Sequence, residues 1–159
     1  MDASGTKPAV GKVYFKMYSL LQHIDGMAAD DISEVDREQL KTFVNNRWQM
    51  LHTDMHSAGF VLDPEYNFAG YSQSTNEEVM SGFCNIIEKL YSNNVEKQAT
   101  VLQQLTKFRD STGIFSRETV KVAAKQMPAH SWWATFGGGV PELQNIAVKV
   151  LSQVIAANC

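Results

Sequence analysis

Apolar residues recur at helical spacing along almost the whole chain. From Val10 they fall at Val13, Tyr14, Met17, Leu20, Leu21 and Ile24, so one face of an α-helix stays apolar for about four turns. Pro8 suits a first turn, where its missing N–H is no loss, and the helix is predicted to stop near Gly26. Asp30, Asp31, Glu34 and Asp36 mark an acidic linker that becomes a helix start, with Ser33 as N-cap and carboxylates in the first turn. Leu40, Phe43, Val44, Trp48, Leu51 and Met55 form a second stripe that runs into Gly59 and ends at Leu62. Asp63-Pro64 closes it, because the residue before a proline is pushed out of the α region. Residues 64–75, polar and aromatic with Gly70, are predicted as a loop.

Ser74 and Thr75, each followed three residues on by Glu77 or Glu78, offer two alternative capping boxes. The helix they open carries Val79, Phe83, Ile86, Ile87, Leu90 and Tyr91. Asn93-Asn94 breaks it and caps the next, with Val95, Leu102, Leu105 and Phe108 inward, up to Ser111-Thr112-Gly113. Ser116 is predicted to cap a shorter helix that Pro128 stops. Trp132 to Phe136 then lead through Gly137-Gly138-Gly139 and Val140-Pro141 into a last amphipathic helix with Leu143, Ile146, Ala147, Val150, Leu151 and Val154. With no internal repeat and no convincing strand, the expectation is an all-α fold, an irregular bundle of five to six helices.

The 159 residues amount to one domain or a piece of a larger one. Valine, leucine, isoleucine and phenylalanine make up roughly a quarter of them, above the level at which chains stay disordered. The net charge of −3 gives no reason to expect a nucleic-acid binder. The two halves differ: residues 1–80 carry 6 bases and 12 acids, residues 81–159 carry 8 bases and 5 acids. A basic C-terminal half suits phosphate, and a solvated helical surface reads the same way. No stretch approaches the ~18 apolar residues that span a membrane. The N-terminus lacks the basic-then-apolar pattern of a secretory signal. Cys84 and Cys159 make no disulfide framework. An intracellular, soluble protein is the expectation.

Four features invite a chemical reading. His52 and His56, four apart on one predicted helix, have the spacing of a metal-binding pair, but Thr53 stands where a zinc-protease motif carries its general-base Glu. The acids from Asp25 to Asp36 resemble a cation site only weakly, since helix caps and a solvated linker explain them. Gly137-Gly138-Gly139 precedes a helix but lacks the Lys-Ser/Thr ending of a phosphate loop. Trp132 and Trp133 project about 100° apart on a helix, so either one is buried and the other meets a partner, or both are covered within the chain. No nucleophile triad is legible.

The string from Gly113 to Cys159 resembles the C-terminal region of hAT-type DNA transposases and their domesticated relatives. The matching elements are Gly113-Ile114-Phe115, Trp132-Trp133-Ala134-Thr135-Phe136-Gly137, Pro141-Glu142-Leu143-Gln144, Ala147 and Val150-Leu151-Ser152-Gln153. Upstream, residues 7–14, 47–52, 56–59 and 62–64 are similar to the stretch that precedes this region, more loosely so over 25–45 and 64–110. Ala129-His130-Ser131, between Pro128 and the tryptophans, is about a residue longer than the family's usual spacing.

That resemblance implies a fragment of a ribonuclease-H-like transposase. Residues 1–112 would be a segment of the helical insertion, and 113–159 the start of the dimerisation region. The family cuts and joins DNA with two metal ions on an Asp-Asp-Glu triad, and that chemistry needs all three carboxylates. None of the three is expected here, so no catalytic residue, metal or cofactor is implied. The implied partner is the chain itself or an intact hAT-like transposase, through Trp132, Trp133, Phe136, Leu143, Ile146, Val150, Leu151 and Val154. A weaker alternative is contact with DNA phosphates through Lys107, Arg109, Arg117, Lys121 and Lys125. A nuclear location follows from the family alone; neither a membrane nor a small-molecule substrate is implied.

Overall fold

A computed structural model describes residues 10–28, 30–51, 53–70 and 76–153. Its α-helices are α1 (Val10–Asp25), α2 (Glu34–Leu51), α3 (Asp54–Leu62), α4 (Pro64–Phe68), α5 (Glu77–Leu90), α6 (Val95–Arg109), α7 (Glu118–Gln126), α8 (Ala129–Phe136) and α9 (Pro141–Leu151). Two 3₁₀ turns cover Gly113–Ser116 and Gly137–Gly139. The described residues hold no strand, and the fold is all-α.

Among the described residues nine α-helices stand where five or six are expected. The second stripe breaks after Leu51, where Thr53 caps a new helix by accepting the His56 N–H. Asp63 ends α3 and at once caps α4, accepting the Glu65 N–H at 3.0 Å, with Pro64 in the first turn. The expected loop therefore begins as a helical turn. Ser33 and Asn94 cap α2 and α6 as expected, accepting the N–H groups of Asp36 and Lys97. At α5 the cap is Asn76, through the Val79 N–H. Ser116 caps nothing: its hydroxyl donates to the Gly113 carbonyl at 2.6 Å, and Arg117 occupies the N-cap position without a side-chain bond. Pro8, His52, Ser74, Thr75 and Val154, on which expectations fell, lie outside the described residues.

α3 sits at the centre. Every residue from His56 to Leu62 is buried, as a helix must be when neighbours cover all its faces. It packs on α1, α5 and α9. The approach to α5 is close at Gly82, where a Cβ would stand 2.6 Å from the Ser57 side chain. Around α9 the core continues onto α6 and α8, and α4, α7 and the first 3₁₀ turn close its far end. α2 lies outside, against α1. There Arg37 donates to the Met27 carbonyl and Lys41 pairs with Asp25 at 2.8 Å. Of the expected α2 stripe, Val44 is buried but Phe43 is 67% exposed.

Candidate functional site

α8 begins after Pro128 and carries both tryptophans into the interior. Trp133 Nε1 donates to the Leu62 carbonyl at 2.7 Å, and Trp132 Nε1 donates to the Val120 carbonyl at 2.9 Å. Leu62 is the last residue of α3, where a helix leaves carbonyls without internal partners. The two indoles flank Phe108 of α6, with ring centroids at 5.9 Å for Trp132 and 4.7 Å for Trp133. Phe115 stacks on Trp132 at 5.7 Å and 22°, while Phe68 and Phe136 meet it edge-on. Aromatic rings from several segments thus wrap α8 on two sides.

Of the two arrangements open to adjacent tryptophans, the structure has the one in which the chain covers both. Trp132 and Trp133 are both fully buried by their own chain. So are Leu143, Ile146, Val150 and Leu151, which face the core from α9. Phe136 is partly buried.

The turn from α8 to α9 is fastened by side chains. Gln144 Nε2 donates to the Trp133 carbonyl at 2.9 Å. Gly137 lies beneath it, where a Cβ would come within 2.9 Å of Gln144 Cγ and 3.0 Å of Trp133 Cε3. Gly137 alone of the glycine run is packed; Gly138 and Gly139 complete the 3₁₀ turn at the exposed surface. Nor does the N-terminus of α9 resemble a phosphate cradle: Pro141 has no N–H, and the Leu143 N–H is already taken by Gln104 Oε1 at 2.9 Å. Gln104 Nε2 also donates to Glu142 Oε2, and this bond first of all holds the Glu142 carboxyl below its ordinary range.

The five basic candidates are not one patch. Arg117, Lys121 and Lys125 follow one another at four-residue steps along α7, and no ion pair among the described residues engages them. Lys107 is exposed in the last turn of α6. Arg109 turns inward instead: its Nη2 lies 3.1 Å from Met80 Sδ, and its buried Nε has no partner. Burial lowers its affinity for the proton.

His56 does not belong to a metal pair on one helix. The helix breaks ahead of it, and its Nδ1 accepts the Thr53 N–H at 3.1 Å to complete a capping box. Among the described residues no three His, Cys, Asp or Glu side chains are grouped to hold a metal ion. The acids serve locally, Asp25 with Lys41 and Glu34 with Arg37 at 3.5 Å. Cys84 is half-buried between α5 and α6, and burial followed by Glu88 pushes its thiol up, away from the reactive thiolate.

Residue spacing missed Gln104, Gln144, Asn67 and Tyr91, the polar side chains that join helix ends. Asn67 Nδ2 donates to the Phe108 carbonyl, and the Tyr91 hydroxyl to the Glu142 carbonyl, both at 3.2 Å. For Gln104 a signal exists: it stands within the buried series Val101, Leu105, Phe108, where an amide needs partners.

Compared with protein-family models, with curated proteins and with solved structures, the chain matches none. Among the described residues no helix is long and apolar enough to cross a membrane.

Proposed function

We propose that the chain is a helical protein-interaction module of hAT-transposase type, acting through dimerisation with itself or with an intact relative. On this reading residues 1–112 correspond to part of the helical insertion of a ribonuclease-H-like transposase and 113–159 to the start of its dimerisation region. The setting is nuclear, and no residue carries a catalytic role.

One observation supports it above the others. The residues that carry the resemblance converge in a single interlocked corner: Trp133 on Leu62, Gln144 on Trp133, Gly137 beneath Gln144, and Leu143 under Gln104. The motif thereby acts as a scaffold. It holds α8 and α9 rigidly, so that association uses the outer surface they support and the indoles themselves stay inside. A preformed surface binds without the entropic cost of ordering. Light scattering across a concentration series, together with titration against the C-terminal region of an intact hAT-like transposase, tests this. Dimers or a saturable complex are expected, and a strict monomer that binds no such region overturns the reading.

A second reading rests on Arg117, Lys121 and Lys125, spaced along one side of α7 as a duplex backbone would require. Such binding falls with salt by a slope near −0.9 per phosphate neutralised. A gel-shift titration without a complex at low salt disposes of it.

A further inference from the structure

Arg109 joins the last turn of α6 to the first turn of α5 through a weak acceptor. Its Nη2 donates to Met80 Sδ at 3.1 Å, and its buried Nε has no partner. A thioether sulfur accepts hydrogen bonds only weakly, and burial disfavours the charged guanidinium. The five-donor fork therefore has capacity to spare in a desolvated place. Met80 is only partly buried where it packs against the core, so small solutes reach it. Met55 and Met127 are partly buried too, but among the described residues no donor meets either sulfur.

We propose that Met80 is an oxidation site and that Arg109 receives its sulfoxide oxygen, so that the contact of α5 with α6 responds to peroxide. Hydrogen peroxide supplies the oxygen. A sulfur lone pair displaces hydroxide from it: the S–O bond forms as the O–O bond breaks, and the proton of the transferred oxygen leaves with the hydroxide as water. Sulfur is oxidised by two electrons and the peroxide is reduced by two. A sulfoxide in a core ordinarily disrupts it, because the polar oxygen finds no partner. At Met80 the partner is in place before the oxygen arrives. The new oxygen is a full acceptor beside a cation, and charge-assisted hydrogen bonds of this kind are roughly twice as strong as neutral ones. Oxidation thus fastens α5 to α6 where it would otherwise loosen them. Methionine sulfoxide reductases restore the thioether.

Two measurements test the assignment. Hydrogen peroxide applied to the folded chain, with peptide mass spectrometry to place the oxygen, should oxidise Met80. A Met80 that stays intact at exposures that oxidise the other methionines overturns the proposal. The second measurement uses Met80→Gln, whose amide oxygen stands in for the sulfoxide and leaves the other methionines out of the comparison. With Arg109 in place, Met80→Gln should hold a thermal midpoint at or above that of Met80→Leu. In Arg109→Leu, which removes the donors and keeps apolar bulk, the order should reverse by about 2–4 °C. A glutamine variant that melts below the leucine one while Arg109 is present overturns the proposal without recourse to the Arg109 variant. So does a glutamine that ranks the same with and without Arg109.

Discussion

Gln104 caps a helix to which it does not belong: from α6 its Oε1 accepts the Leu143 N–H of α9 at 2.9 Å. α9 has no cap of its own, since Val140 offers no side-chain acceptor and Pro141 fills the first position. The amide satisfies a buried donor and ties two helices that are distant in sequence, α6 and α9. Replacing it with leucine keeps the bulk and orphans the Leu143 N–H. The Gln104→Leu chain is expected to lose about 1–3 kcal/mol of unfolding free energy in urea titration. A loss within the scatter of surface substitutions, about 0.5 kcal/mol, would show the cap to be idle.

The same amide sets a pH dependence. The Glu142 carboxyl lies below its ordinary 4.5, first through the Gln104 hydrogen bond and then through its own backbone N–H, with Lys97 adding a weaker pull. A carboxyl depressed in the folded state contributes stability above its unfolded value, and that contribution is lost as pH falls through the folded one. The stability difference between the wild type and Glu142→Gln should therefore shrink on titration into acid below 4.5. A difference that stays level or widens there contradicts the assignment. Carboxyl titration by NMR should also show Glu142 moving back up in Gln104→Leu.

Trp133 carries both packing and a hydrogen bond. Trp133→Ala is expected to cost about 3–5 kcal/mol. Trp133→Phe keeps most of the ring but leaves the Leu62 carbonyl without its indole donor, so about 1–3 kcal/mol is expected. His56→Ala, which removes one half of a capping box, should cost only about 1 kcal/mol. Chemical denaturation of the three variants gives the order, and a histidine variant weaker than Trp133→Ala would reverse it.

Periodicity made α5 and α9 legible because each turns one stripe inward, and Asn94 was legible as the cap of α6. On α6 the spacing placed Val95 and Leu102 inward, but they are 74% and 38% exposed and the buried line runs through Val101, Gln104, Leu105 and Phe108. Periodicity failed at α3, which has no stripe to find: its residues from His56 on are buried on every side. The break before Thr53 falls where the Thr53–His56 capping box opens a helix that packs on α1, α5 and α9. Adjacent tryptophans left two outcomes open, and the deciding partners, Phe68, Phe108 and Phe115, come from three separate segments.

Gly82 sets how near α3 and α5 approach. A Cβ there would stand 2.6 Å from both Ser57 Cβ and Oγ, and these are anchored on a buried helix. Alanine gains about 1 kcal/mol of helix propensity over glycine, so propensity alone favours Gly82→Ala. Overpacking opposes it by about 1–3 kcal/mol, and a net loss is expected in thermal unfolding. Removing the opposing side chain, in Gly82→Ala with Ser57→Gly, should recover part of that loss. A more stable single variant would mean that the helices separate freely.

Arg109 separates packing from charge. Its stem fills space between α5 and α6, but its guanidinium faces Met80 sulfur and leaves a buried Nε unpaired. Burial disfavours the charged form, while its place in the last turn of α6 favours a cation by about 0.3–1 kcal/mol. Arg109→Met keeps the stem volume and removes the desolvated charge, so stability should hold or rise by about 1 kcal/mol. Arg109→Ala should fall below it, because the packing of the stem is lost. The methionine variant should also retain whatever duplex DNA the wild type binds at low salt, in contrast to Lys121→Glu with Lys125→Glu. A methionine variant that unfolds as readily as the alanine one would show that the guanidinium has a partner worth more than its burial costs.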